Sequence, residues 1–156
     1  MRFQGRPMQL ADAEAICQWR YPPPYDFYDM AADPADFAEF MDMGRWNDEP
    51  HWAFDDEPGD LAGFLTAQRR PEDLYLGLGL RPSLTGRGIG ISFMEACVQT
   101  VRSCWPQERL RLDVEVFNQR AIRVYERIGF VPIGTFWQDT NGSRYEFLAM
   151  QRDERD

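Results

Sequence analysis

The chain has no lysine, since all 17 of its basic residues are arginine, and a lysine Schiff base is thereby excluded as a catalytic device. A single histidine, His51, leaves too few nitrogen ligands for a zinc centre, which ordinarily draws on several His or Cys side chains; no metal is expected. The three cysteines, Cys17, Cys97 and Cys104, form no CxxC pair, and all three are expected to be reduced core residues. GxSxG is missing as well, and His51 lies far from any nucleophile signature, so a serine hydrolase is the least favoured reading. No window supplies the roughly 18 consecutive apolar residues of a membrane span, and the first residues, MRFQGRPMQLADAEAI, hold no long apolar secretory core. A cytoplasmic protein is expected.

What is present is enough apolar material for a core. At 156 residues, 44% hydrophobic and 14% aromatic, the chain suits a single domain over residues 1–156 and is not a disordered polymer. Its net charge of -9 argues against nucleic acid, whose phosphates require a basic surface. The charge is unevenly spread: residues 1–73 carry 6 arginines against 16 acids, a net -10, and residues 74–156 carry 11 against 10, a net +1. The acidity belongs to the first half.

Apolar spacing and helix breakers divide the chain. A strand β1 is expected over residues 2–8 and a helix α1 over 10–21, where Leu10, Ala13, Ile16, Cys17 and Trp19 keep near-helical spacing up to the Pro22-Pro23-Pro24 break. Tyr25, Phe27, Tyr28 and Met30 follow in a loop too aromatic for a mere linker; it either lines a pocket or caps the core. Asp33-Pro34 has the form of an N-cap with proline at the first helical position, opening α2 to about residue 41. Residues 51–54 and 61–68 flank an acidic turn as strands β2 and β3, and 74–80 make β4. Met94, Cys97, Val98, Val101 and Cys104 mark α3, which Pro106 ends; Leu110, Leu112, Val114 and Val116 alternate with polar residues as β5. A short α4 spans 119–128 before Gly129, and 130–136 and 144–150 form a last hairpin, β6 and β7. This order, β1-α1-α2-β2-β3-β4-α3-β5-α4-β6-β7, makes a mixed α/β domain, mostly antiparallel, with one parallel β4-α3-β5 crossover.

The chemistry is concentrated in residues 74–90, LYLGLGLRPSLTGRGIG. A strand that runs through a glycine-rich turn into a helix start delivers N–H groups without intrahelical partners, backed by the helix dipole, and so makes an anion site. Thr85-Gly86-Arg87-Gly88-Ile89-Gly90 lacks the GK[ST] of a nucleoside-triphosphate loop and the GxGxxG of a dinucleotide fold. By itself it is a weak signal, for which a tight strand-to-helix connection is the alternative reading. Gly77 and Gly79 inside β4 point to a bulge or to close approach of a backbone or ligand. Together with Leu80-Arg81-Pro82, and with NQRAIRVYERIGF at residues 118–130, the loop resembles the GNAT superfamily of acyl-CoA N-acyltransferases over most of the C-terminal half. The family pattern Q/R-x-x-G-x-G/A is met at Gly88 and Gly90, with Thr85 in its first position.

The resemblance implies a GNAT-like fold in which β4 and β5 splay apart and acetyl-CoA serves as acyl donor. Amides from Thr85, Gly86, Arg87, Gly88, Ile89 and Gly90 would hold the coenzyme pyrophosphate. The pantetheine arm would pair with β4 at Leu78, Gly79 and Leu80, and Asn118, Ala121 and Tyr125 would line the same coenzyme. Tyr125 would be the catalytic acid, protonating the departing thiolate after direct attack by a primary amine. The bland alternatives are an N-cap for Asn118 and, for Tyr125, a place on an apolar stripe with Ala121 and Ile128. Arg120, Arg123 and Arg127 either assist a phosphate or form a solvated face. Asp73, Glu115 and Glu146 are candidates for the general base, with water as the fourth.

The acceptor is expected to be an amine of a small molecule or peptide, cationic if the acidic first half forms the facing wall near Tyr25, Phe27 and Tyr28. No nucleic-acid or membrane partner is expected, and a homodimer is the assembly to test. The competing class is a non-catalytic coenzyme A-binding sensor or interaction module of the same fold. It is favoured by Thr85, where the family has Gln or Arg, and by the lack of an obvious base.

Overall fold

Strands and helices fall close to where the apolar spacing puts them. The computed structural model describes residues 1–154. In it β1 is Gln4–Pro7, α1 Leu10–Cys17, α2 Pro34–Met41, β2 His51–Asp55, β3 Leu61–Arg69, β4 Leu74–Leu80, α3 Gly90–Cys104, β5 Leu110–Glu115, α4 Gln119–Arg127, β6 Val131–Thr140 and β7 Ser143–Arg152. Among the described residues the strands make one seven-stranded sheet in the order β1-β2-β3-β4-β5-β7-β6. Every neighbouring pair is antiparallel except β4 with β5. The mixed α/β architecture is the one expected.

Local chemistry sets the boundaries. α1 stops at Cys17, short of residue 21, because the Arg20 guanidinium takes the carbonyls of Cys17 and Trp19, both at 2.8 Å, just ahead of the proline run. α2 starts as its sequence implies: the Asp33 carboxylate accepts the N–H groups of Ala35 and Asp36, and Pro34 holds the first helical position. The β6–β7 turn is Asn141-Gly142, whose φ values of 51° and 75° suit the twist of a two-residue hairpin.

The sheet carries a core on each face. Leu65, Ala67, Leu74, Leu76, Leu110, Leu112 and Val114 pack with Phe93, Met94, Cys97 and Val101 of α3. On the other face Met8, Ala13, Ile16, Cys17 and Phe40 gather around Phe64. Cys17 and Cys97 are buried, but Cys104 is exposed, contrary to expectation. It is the last residue of α3, beyond the Val101 that ends the buried stripe.

What matters for the site is where the sheet opens. β4 and β5 are in register only at Leu74 with Leu110 and Tyr75 with Arg111. Past that point β4 stays with β3 as far as Leu80 and β5 stays with β7 as far as Glu115, so the two parallel strands diverge toward the glycine loop. The Leu74 N–H donates across to the Arg109 carbonyl at 2.8 Å, and the Arg81 N–H donates back to Ala62 at 2.7 Å. Even-numbered residues of β4 therefore turn their backbone polar groups toward β5 and odd-numbered ones toward β3. Leu76 and Leu78 present theirs to the gap.

Candidate functional site

β4 passes through Arg81 into a 3₁₀ turn, Pro82–Leu84, before the glycine loop. Arg81 anchors this junction, donating to the Leu61 carbonyl and the Ser83 hydroxyl, each at 2.9 Å, and reaching the buried Asp56 at 3.5 Å. Thr85 Oγ1 donates to the Pro82 carbonyl at 2.8 Å, so this side chain closes the turn. Gly86 and Gly88 then adopt φ of +72° and +76°, conformations that L side chains resist and from which anion-binding backbone concavities are made. Among the described residues the amides of Gly86, Arg87, Gly88 and Ile89 donate to no backbone acceptor. Ile89 is the N-cap of α3 and supplies no side-chain cap. Unpaired donors thus stand at the positive end of a 15-residue helix.

α4 lies against this loop. A Cβ on Gly86 would stand 2.9 Å from Nη1 of Arg120, and one on Gly90 would stand 3.2 Å from Cγ2 of Val124. Arg120 also places its guanidinium over the Tyr25 ring, 4.4 Å from the centroid. It is the α4 arginine that reaches the loop, and it ties that loop to the aromatic segment between α1 and α2.

At the start of α4, Asn118 does two things. Its Oδ1 accepts the Ala121 N–H at 3.2 Å, capping the helix, and its Nδ2 donates to the Tyr28 hydroxyl at 3.0 Å. Two turns on, Tyr125 packs partly buried against the core, its ring 6.2 Å from that of Phe130. Burial pushes its phenol well above the usual value, and the nearby Cys97 and Glu115 act in the same direction.

Glu115, the last residue of β5, is only 2% exposed, and among the described residues its Oε2 has no hydrogen-bond partner. Burial pushes its carboxyl up to about 7, against the opposing pull of the Tyr28 hydroxyl and its own backbone. A carboxyl poised near neutrality beside an opened sheet can take and return a proton. The other two acids are differently placed. Asp73 precedes β4 at the end where β4 and β5 are still paired, away from the loop. Glu146 on β7 is in register with Trp137 of β6 and, by strand alternation, faces away from Phe147, the β7 residue opposite Glu115.

The model of the Acetyltransferase (GNAT) family matches residues 13–130, from α1 to just past α4. The chain belongs to the GNAT family. A mycothiol acetyltransferase of Salinispora arenicola is 31% identical over 121 residues, covering 65% of this chain and 39% of that protein. One from Propionibacterium freudenreichii is 34% identical over 86 residues, covering 51% and 27%. The chain thus spans at most 39% of the length of these curated relatives. Among solved structures, spermidine N-acetyltransferase from Vibrio cholerae in complex with CoA and spermine superposes with a TM-score of 0.78 at 17% identity, covering 99% of this chain and 96% of that one. A ribosomal-protein-S5-alanine acetyltransferase from Vibrio fischeri gives 0.73 at 16%, covering 100% and 95%. At such identities the likeness is one of fold.

Within this GNAT fold, the residues singled out in the sequence converge from two sides. The glycine loop and α4 meet through Gly86 and Arg120, and Asn118 and Tyr125 stand at the tip of β5 with Glu115. Three β4 positions have contacts of their own within the fold. Gly77 and Gly79 are explained from inside the fold, because a Cβ there would meet Thr66 Oγ1 at 2.7 Å or Phe64 Cε1 at 2.6 Å. Gly79 turns its backbone toward β3, with Phe64 as its partner in register, and so leaves Leu78 to face the gap. The Leu80 carbonyl already accepts the Tyr21 hydroxyl at 2.6 Å. Tyr21, just before the three prolines, had no signal in the sequence for its bond to Leu80, and Tyr28, named only for the acceptor side, is found bonded to Asn118 as well.

Proposed function

We propose that this GNAT chain, taken as one domain over residues 1–156, is an acetyl-CoA-dependent N-acetyltransferase that transfers the acyl group directly to a primary amine. The observation that carries the reading is the opened β4–β5 edge, with free loop amides on one side of it and the Glu115–Tyr125 pair on the other. Acetyl-CoA supplies the activated thioester. The residues present fit that donor: the amides of Gly86 to Ile89 suit a pyrophosphate, and the Leu78 N–H and C=O suit an extended amide-bearing arm. Thr85, Gly90, Leu80 and Ala121 are framework for these contacts.

The chemistry assigned to the chain's own groups is proton transfer. As the C–N bond forms and the C–S bond breaks, Glu115 takes a proton from the attacking nitrogen and Tyr125 gives one to the departing sulfur. A phenol of pKa near 10 protonating a thiolate whose conjugate acid is near 8.5 is uphill by about 2 kcal/mol in water. Burial that raises Tyr125 raises the basicity of a thiolate in the same dry space, so the mismatch does not grow in proportion. Glu115 also weakens the case for a non-catalytic sensor, which had rested on the lack of an obvious base; Thr85 has a structural reason to differ from Gln or Arg, since its hydroxyl closes the turn.

For the acceptor we infer a cationic amine, a polyamine-like small molecule or a basic peptide. The net -10 of residues 1–73 supports it, as does the spermine-bound relative of the same fold. The test is coenzyme A release from acetyl-CoA across a panel of cationic, neutral and acidic amines, at low and high salt. Turnover rising with acceptor charge and falling with salt is expected; activity confined to neutral or acidic amines would sink the acceptor reading, and no release with any amine would sink the enzyme reading.

A further inference from the structure

The Asn118 side chain has its orientation decided by the helix it caps. Its Oδ1 must accept from the Ala121 N–H, so its amino group is the part aimed at Tyr28, and the Tyr28 oxygen is an acceptor in that bond. A phenol that accepts at its oxygen still has one proton to donate. Two titratable side chains stand near the Tyr28 hydroxyl, Tyr125 and Glu115, and of these Glu115 is a buried carboxyl whose Oε2 has no partner among the described residues. Asn118 and Glu115 are close in sequence on the β5–α4 junction, whereas Tyr28 comes from the 3₁₀ turn Tyr25–Tyr28 of the first half. A residue of the aromatic segment between α1 and α2 therefore stands beside the buried carboxyl at the tip of β5.

We propose that Tyr28 is a positioning residue for the general base: steered by Asn118, its hydroxyl donates to Glu115, orients the carboxylate toward the opened β4–β5 edge and couples the base to the seating of the acceptor wall. The inference rests on the reading of Glu115 as base. The segment is held independently of that bond. Phe27 packs on Tyr145 at 4.6 Å, its carbonyl accepts from Asn141 Nδ2 at 2.7 Å, and Tyr25 and Tyr28 lie 6.2 and 6.3 Å from Phe117. Loss of the Tyr28 hydroxyl should thus leave the ring in place. The titratable groups acting on Glu115 are Tyr28 from this segment and Tyr125 from α4; across β7 its partner in register is the uncharged Phe147. Tyr28 is held neutral far into the alkaline range by burial, so it donates to the carboxylate and does not itself titrate with the base.

A hydrogen-bond donor to a carboxylate favours the ionised form, and its loss moves the titration upward. The experiment is the pH dependence of kcat/KM for the wild type, Tyr28→Phe, Glu115→Gln and the double variant, with acetyl-CoA affinity measured alongside. The acid limb is expected to move alkaline by about one pH unit in Tyr28→Phe, with acetyl-CoA affinity within about twofold. Glu115→Gln should abolish that limb, and adding Tyr28→Phe to it should change the rate by less than about twofold. If Glu115→Gln removes the limb but Tyr28→Phe leaves it unmoved, Tyr28 has no hold on the base while Glu115 keeps its role. If the limb survives Glu115→Gln, the base is another group and both assignments fall together.

Discussion

Gly86 and Arg120 meet across the two halves of the site: a Cβ on the glycine would lie 2.9 Å from the arginine's Nη1, while that guanidinium stacks on Tyr25 at 4.4 Å. The loop that offers free amides, the helix that carries Asn118 and Tyr125, and the aromatic segment of the acidic half are therefore joined at one side chain.

Gly86→Ala and Gly88→Ala separate backbone strain from this contact. Both positions have positive φ, +72° and +76°, but only Gly86 has Arg120 over it, and Gly88 opens on empty space. Each substitution should add about 1–2 kcal/mol of left-handed strain and weaken acetyl-CoA binding on the order of tenfold. Gly86→Ala should weaken it more, because Arg120 must also move. Isothermal titration with acetyl-CoA measures this, and equal losses in the two variants would remove Arg120 from the account.

Tyr125→Phe tests the acid. It retains the packing against Phe130 and removes only the phenol oxygen. The expectation is a fall in kcat of about 10²-fold or more, typical of a lost general acid, with acetyl-CoA affinity unchanged. A rate close to wild type would exclude Tyr125 as proton donor.

The fold was legible because its rules are local. The alternation of Leu110 to Val114, the spacing of Met94 to Val101 and the Asp33-Pro34 start all rest on neighbours a few residues apart, and the structure bears them out. The glycine loop was legible for the same reason. What escaped was set by contacts distant in sequence. Nothing near Gly79 in the chain says that Phe64 will cross it, and nothing near Tyr28 says that Asn118 will reach it. Glu115 was one of three acids until burial separated it from Asp73, stranded at the paired end of β4, and from Glu146 on β7. Desolvation is a property of the assembled site, and no spacing rule encodes it.

Asn118 combines a cap with a tether, and two substitutions part them. Asn118→Ala should lose about 1 kcal/mol of stability from the cap as well as the bond to Tyr28. Asn118→Ser can still cap α4 but is too short to hold Tyr28. It should therefore regain most of the stability, seen as thermal midpoint, while leaving turnover as low as in the alanine variant. Full recovery of turnover by serine would show that the tether is idle.

Gly63→Ala probes the floor beneath the opened edge. A Cβ there would lie 2.5 Å from Phe93 Cε1 and 2.9 Å from the Gly79 carbonyl oxygen. Phe93 is 2% exposed and the carbonyl is backbone, so neither can yield cheaply. A loss of about 1–3 kcal/mol is expected from overpacking, read by urea unfolding. A change below 0.5 kcal/mol, on the order of an ordinary surface substitution, would mean that β3 and β4 shift apart freely at this point.

The raised carboxyl of Glu115 makes a claim about stability as well as catalysis. Its ordinary value of 4.5 is pushed up to about 7 in the folded chain, so between those values the folded state holds a proton that the unfolded state has released. The sign follows from linkage: the group's favourable contribution is complete below about 4.5 and is lost as pH rises through about 7. Above that, burying the carboxylate costs roughly 3 kcal/mol relative to the acid. Glu115→Gln is neutral throughout and does not share this loss. Its stability relative to wild type should rise by roughly that amount between pH 4 and pH 8, a gain of about 6–12 °C in thermal midpoint for a domain of this size. If the midpoints of wild type and variant run parallel across that range, Glu115 titrates alike folded and unfolded, and a base tuned by burial has to be abandoned.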